Sequence, residues 1–190
     1  SCLRTSLCFS QTVIGIGFEG IKKSKQEYLS RFLSQKVGAP LDSALVELDC
    51  RRLRNLQLFY EVGYLVQDTA DGVRVTYQLS EVKTLLPIIS LGGIRGNFWF
   101  EAGLQDLNLF GRGMSGLAKY RYYDRHSFDL SFRHLYVNQG RWGYGIDISN
   151  QSTVEPVYFD STTAHYNFDN RNLGATILFE TGFRSFLELR

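Results

Sequence analysis

The feature that most restricts how this chain can fold is a two-residue alternation that starts at Phe98 and recurs almost to the last residue. Phe98, Phe100, Ala102 and Leu104 share one face while Glu101 and Gln105 share the other, the period of a strand lying between two different surroundings. A glycine turn follows at Asn108, Leu109, Phe110, Gly111, Arg112 and Gly113. Gly116, Ala118, Tyr120 and Tyr122 then oppose Lys119 and Arg121, and Phe128, Leu130 and Phe132 oppose Asp129, Ser131 and Arg133. Trp142, Tyr144, Ile146 and Ile148 oppose Gly143, Gly145 and Asp147. A longer insertion, Gln151 to Asn170, precedes two further strands near Leu173 to Phe179 and Arg184 to Leu189. Ahead of the whole series, Pro87 to Gly93 reads as a short glycine-rich strand joined by a turn at Ile94 to Asn97.

Alternation of this kind is compatible with a soluble sandwich or with a membrane barrel. Three details favour the barrel. Aromatics sit at the ends of the apolar faces, the opposite faces carry full charges and glycines, and the turns alternate in length. No run reaches the ~18 to 20 apolar residues of a membrane helix, so any membrane crossing is made by strands. Hydrophobic content of 44% with 21% charge excludes simple disorder, and a net charge of +2 without a basic stripe argues against nucleic acid as a partner.

The first part of the chain has a different texture. Thr12 to Phe18 reads as a strand. Ser24 starts a helix with Glu27 completing a capping box, Tyr28, Leu29, Phe32 and Leu33 form its buried face, and Gly38 ends it. Asp42 caps a second helix in which Leu45, Leu48, Leu53 and Leu56 line one side and Glu47, Arg51 and Arg54 face solvent. Two strands, Phe59 to Asp68 and Val73 to Val82, are joined through Thr69-Ala70-Asp71-Gly72. The order is β-α-α-β-β, an α+β module over residues 12–83, followed by all-β antiparallel strands over 84–190. Residues 1–11 read either as the remnant of a signal peptide or as a disordered N-terminus.

Chemistry-bearing constellations are few. Gly15-Ile16-Gly17-Phe18-Glu19-Gly20 matches the dinucleotide fingerprint, but its helix starts only at Ser24 and leads to another helix, which removes the required context. Cys2, Cys8 and Cys50 make no zinc spacing, and Cys50 reads as a packed thiol. His126, His134 and His165 are not at ligand spacing, and Glu101 and Asp129 are more simply lumen-lining. The residues imply no enzyme, no metal and no cofactor.

Phe18-Glu19-Gly20-Ile21, Gly38-Ala39-Pro40-Leu41-Asp42 and Leu58-Phe59-Tyr60-Glu61-Val62, in their strand and helix setting, resemble a POTRA domain. Followed by a strand ending in Asp106-Leu107-Asn108-Leu109-Phe110-Gly111-Arg112-Gly113, which matches a first periplasmic turn, the whole resembles the BamA/TamA superfamily. The resemblance implies a periplasmic module joined to about seven strands of an incomplete transmembrane β-barrel in the bacterial outer membrane. It also implies assembly, insertion or translocation of other polypeptides. The partners it implies are outer-membrane lipid, unfolded outer-membrane or secreted polypeptides, and accessory periplasmic or lipoprotein subunits.

The mechanism expected is strand recognition at a sheet edge. By the resemblance, one such edge is Glu61, Val62, Gly63, Tyr64, Leu65, Val66 and Gln67. A second is the first barrel strand, where Gly92 and Gly93 either weaken a seam or relieve crowding. Three other functions remain open: a passive pore or structural barrel, a secretion transporter dedicated to one partner, and a soluble β-sandwich binding module.

Overall fold

The structure is a computed structural model that describes residues 11–94, 97–159, 162–183 and 185–189, with side chains described for all of these except Ile94, Asn97, Gln139, 153–159 and 162–165. All of the expected leader except Gln11 lies outside the described residues. The chain divides into two units between Val82 and Lys83.

The first unit contains β1 (Val13–Glu19), α1 (Gln26–Ser30), α2 (Ser43–Asn55), β2 (Phe59–Thr69) and β3 (Gly72–Glu81). Its sheet has the order β1-β3-β2, with β1 parallel and β2 antiparallel to β3. A parallel pair needs a long crossover, and the two helices supply it. Because β3 is central, its Val73, Val75, Tyr77 and Leu79 are buried together with Leu29, Phe32, Leu33, Val46, Leu53 and Val62.

The first helix is much shorter than the expected 24–38. It spans five residues from Gln26, and its cap position is Lys25, which makes no side-chain cap bond. Ser24 is instead buried, with its N–H donating to Glu81 Oε1 at 2.7 Å. Beyond Ser30, the N–H groups of Ser34 and Gln35 donate to the Asp49 carboxylate at 2.6 and 3.0 Å. Two distant carboxylates therefore take backbone donors that local propensity assigns to a helix. Gln35 completes the connection by donating to Pro40 O and accepting from Asp42 N–H.

The second helix forms as expected, with Asp42 accepting from Ala44 and Leu45 N–H. Its fully buried stripe is Val46, Asp49, Cys50 and Leu53, while Leu45 and Leu48 are only half-buried. A hydrophobicity pattern leaves out Asp49, yet three donors, the third being Tyr77 O–H at 3.0 Å, let the carboxylate sit inside. Burial, with Asp49 alongside, pushes the Tyr77 phenol far above its ordinary pKa, and burial raises the Cys50 thiol.

The second unit is a meander of β4 (Leu85–Ile94), β5 (Asn97–Leu109), β6 (Met114–Tyr123), β7 (Arg125–His134), β8 (Trp142–Phe159), β9 (Thr162–Gly182) and β10 (Ser185–Leu189). Every neighbouring pair is antiparallel, and the seven strands form one sheet that does not close. The expected insertion at Gln151 to Asn170 is not irregular: 18-residue β8 and 21-residue β9 run through it, paired from Trp142/Phe179 out to Phe159/Thr162. The alternation used to find the other strands fades there because Gln151 and Asn170, like Ser152 and Asp169 beside them, are polar on both faces.

The register brings the expected apolar positions onto one face. One cross-strand row is Pro87, Leu104, Ala118, Leu130, Ile148 and Leu173. That face is uncovered: Ile89 is 76% exposed, Leu91 67% and Leu173 78%. A soluble sandwich would bury it under a second sheet. The band also runs obliquely. In the next row Ile89, Ala102, Tyr120 and Phe128 are followed by polar Asn150 and Arg171, while at the other end β8 and β9 continue apolar through Tyr144/Ile177 and Trp142/Phe179. Strands that cross an apolar band at a slant are what the stagger of a tilted barrel produces. The opposite face is charged, with Lys119 held between Glu101 at 3.5 Å and Asp129 at 3.4 Å, and Arg121 on Glu101 at 2.6 Å.

Candidate functional site

Strand β2 borders β3 on one side, and no strand pairs with its other side among the described residues. Closure of the hairpin between Thr69 and Gly72 sets the pairing phase. In that phase Glu61, Gly63, Leu65 and Gln67 bond β3, and Val62, Tyr64 and Val66 turn their N–H and C=O groups to the open side. One of these outward groups is already occupied. Arg54, expected to face solvent, reaches from α2 and donates through Nη2 to Val62 O at 3.1 Å. At Gly63 the edge carries no side chain, and a Cβ added there would meet nothing within 4 Å.

At the barrel edge, Gly92 lies directly across from Trp99. A Cβ at Gly92 would come within 2.6 Å of the indole carbons Cε2 and Cζ2, so the glycine makes room for a ring laid over the first strand. Gly93 has φ 132°, which favours glycine. The signal for Trp99 was present in the sequence, since the turn expected at Ile94 to Asn97, whose two central residues lie outside the described ones, sets position 92 against 99.

The turn from Asn108 to Gly113 is densely bonded. Asp106 Oδ1 accepts from Thr84 O–H at 2.8 Å and from Asn108 N–H at 2.9 Å. Asn108 is buried, its Oδ1 accepts from Gly113 N–H at 2.7 Å, and its carbonyl accepts from Gly111 N–H at 3.1 Å. Leu107 N–H donates to Thr84 O at 3.1 Å. Gly111 and Gly113 take positive φ, as does Phe110, a bulky residue in a left-handed conformation whose ring is 71% exposed. The turn therefore works as a clamp that fastens Thr84, just ahead of β4, to the β5–β6 end. Thr84 was not among the expected site residues; the Asp-x-Asn spacing that builds the turn was visible, but its distant partner was not.

The other chemistry-bearing residues are tied up structurally. His126 Nδ1 lies 2.5 Å from Tyr120 Oη, and His134 packs edge-on to Tyr144. His165 has no described side chain. Among the described residues no group of three His, Cys, Asp or Glu is placed to hold a metal ion.

The two units thus define a class: a small α+β module with an accessible strand edge, ahead of the opening strands of a barrel. Comparison with known proteins gives that class its names. Residues 11–82 match the family model for POTRA, the surface antigen variable number repeat, and this segment is a POTRA domain. BamA from Haemophilus ducreyi lacking POTRA domains 1-3 is similar in fold, with a TM-score of 0.68 and 21% identity over 90% of this chain. CdiB from Acinetobacter baumannii is a weaker likeness, at TM-score 0.48 and 14% identity over 94% of the chain. The chain spans 33% and 36% of the lengths of those two structures, about a third of each.

Proposed function

We propose that this chain is part of a bacterial outer-membrane protein that inserts or translocates other polypeptides, with the POTRA domain in the periplasm. Recognition uses backbone hydrogen bonding: an extended client segment adds to the open side of β2 across Glu61, Val62, Gly63, Tyr64, Leu65, Val66 and Gln67. The observation that carries this reading is that open side, along which no strand pairs with β2 among the described residues and which is bare of a side chain at Gly63. Arg54 on Val62 O acts as a guard that an incoming strand displaces. The first barrel strand, β4, is the second edge, with Trp99 over Gly92 at its far end. Likeness in fold to BamA supports the reading, as does the uncovered apolar band, which suits lipid. The Asn108–Gly113 turn is assigned to the periplasmic rim, on the side where the chain enters from the POTRA domain. Accessory periplasmic or lipoprotein subunits are further expected partners.

Depletion of the full-length protein followed by a census of outer-membrane proteins tests this. Loss of a set of barrel proteins or of one exported protein supports it, and unchanged levels of all of them would sink it in favour of a passive pore. Introducing Pro at Tyr64, whose N–H faces the open side, should weaken cross-linking of clients to β2 while leaving the β2–β3 ladder in place.

A further inference from the structure

The band's polar margin on β7 to β9 holds a groove whose chemistry matches a phosphorylated lipid. It has a volume of about 530 Å³ and is floored by Phe128, Ile148 and Leu173, with Asn150 and Arg171 along its upper side and Ser149 and Asn172 lining it from the alternate strand positions. The register explains the arrangement. Leu130–Ile148–Leu173 is the last fully apolar row on these strands, and Phe128–Asn150–Arg171 is the row above it. The groove thus carries hydrocarbon on one side and amide and guanidinium donors on the other, at the level where β8 and β9 leave the apolar band.

Arg171 is exposed and makes no ion pair among the described residues. The carboxylate next to it along the same face, Asp169, is held by Arg125 at 3.2 Å and by the Ser152 hydroxyl. That acid is therefore engaged by Arg125 and Ser152 at the root of the β8–β9 hairpin, and the Arg171 beside it stays exposed. A planar guanidinium beside the Asn150 amide suits the oxygens of a phosphate, and three large apolar side chains below suit an acyl chain. At an interface one basic residue contributes about a fivefold change in binding to an anionic surface.

We infer that this groove binds a phosphate-bearing lipid of the membrane leaflet on the β8–β9 hairpin side, with Arg171 and Asn150 on the headgroup and Phe128, Ile148 and Leu173 against its chains. The inference rests on the membrane reading above. Its test uses the full-length protein in phosphatidylcholine nanodiscs doped with bisphosphorylated lipid A, followed by detergent extraction and measurement of retained lipid by native mass spectrometry. The native protein retains lipid A, Arg171→Ala lowers retention about fivefold, and Arg171→Lys restores part of it. Arg141→Ala, at the opposite end of the strands beside Phe179, serves as the control and leaves retention unchanged. Equal retention by Arg171→Ala and the native protein overturns the site. Inorganic phosphate giving the same thermal shift as lipid A overturns a lipid occupant. A protein that fails to enter nanodiscs at all overturns the membrane reading instead, so the two failures are distinguishable.

Discussion

The two units solve the same problem with opposite surfaces. In the POTRA domain, β3 alternates like any half-buried strand and its apolar residues vanish beneath two helices, Val73, Val75 and Tyr77 having no exposure. In the barrel segment β5 alternates equally well, yet its Phe98 and Leu104 stay more than half exposed. The strand pattern is the same in both, and the difference lies in what covers it: the chain itself in one case, the surrounding medium in the other. The polar residues mirror this. Asp49 inside the POTRA domain is satisfied by backbone and phenol donors, whereas Glu101 and Asp129 in the barrel segment are matched by Lys119 and Arg121 on neighbouring strands.

The sharpest way to break the comparison is truncation at matched positions. Leu53→Ala, with no exposure at the start, should destabilise the POTRA domain by about 2–5 kcal/mol, read by urea unfolding of residues 11–82. Leu104→Ala on the uncovered face should cost well under that in detergent, and equal losses would mean the band is covered by protein. Next in size is a charge in mid-band: Leu130→Arg should cost about 2–4 kcal/mol of folding stability in a bilayer. The same change should be almost silent if that face meets water. Gly92→Val follows, since forcing a branched side chain under Trp99 should cost about 1–3 kcal/mol. A blue-shift or red-shift of Trp99 fluorescence reports the ring's displacement, and an unmoved spectrum would count against the packing role.

The smallest effect is a pH dependence confined to the POTRA domain. Burial by itself would raise the Glu81 pKa, but hydrogen bonds from the Ser24 hydroxyl and the N–H groups of Lys22, Lys23 and Ser24 outweigh it and hold the carboxyl below its ordinary value. A depressed carboxylate contributes stability that is present above its unfolded pKa and is lost as pH falls through the folded one. Stability of residues 11–82 should therefore decline as pH drops below about 4.5. Glu81→Gln should be less stable at pH 7 and show a flatter profile in that range. Parallel profiles for the two proteins would remove Glu81 as the cause.

Where the fold was legible from residues, the signal was periodic or local. The β5 alternation, the Asp42 cap and the Asn108–Gly113 turn all involve neighbours within a few positions, so their physics is complete in a short window. The first helix was misjudged for the contrary reason. Ser24 and Glu27 form a sound capping pattern, but Glu81, 57 residues away, takes the Ser24 N–H, and Asp49 takes those of Ser34 and Gln35. The β8–β9 hairpin was missed because strands polar on both faces carry no alternation to read. Of the candidate site, strand β2 and its hairpin were legible, but the Arg54–Val62 bond and the Thr84 anchor were not, since each joins segments that only folding brings together.

The sequence by itself determined that strands, not helices, would carry the second half, and that one face of each would be apolar, because a strand's side chains alternate whatever surrounds it. Only the tertiary structure decided where that apolar face ends. The register between strands shifts the band step by step across the sheet, so Arg171 sits at its margin while Ile89, in the same row, sits within it. The slant of the band is the sum of the registers of six successive strand pairs, and no single stretch contains it.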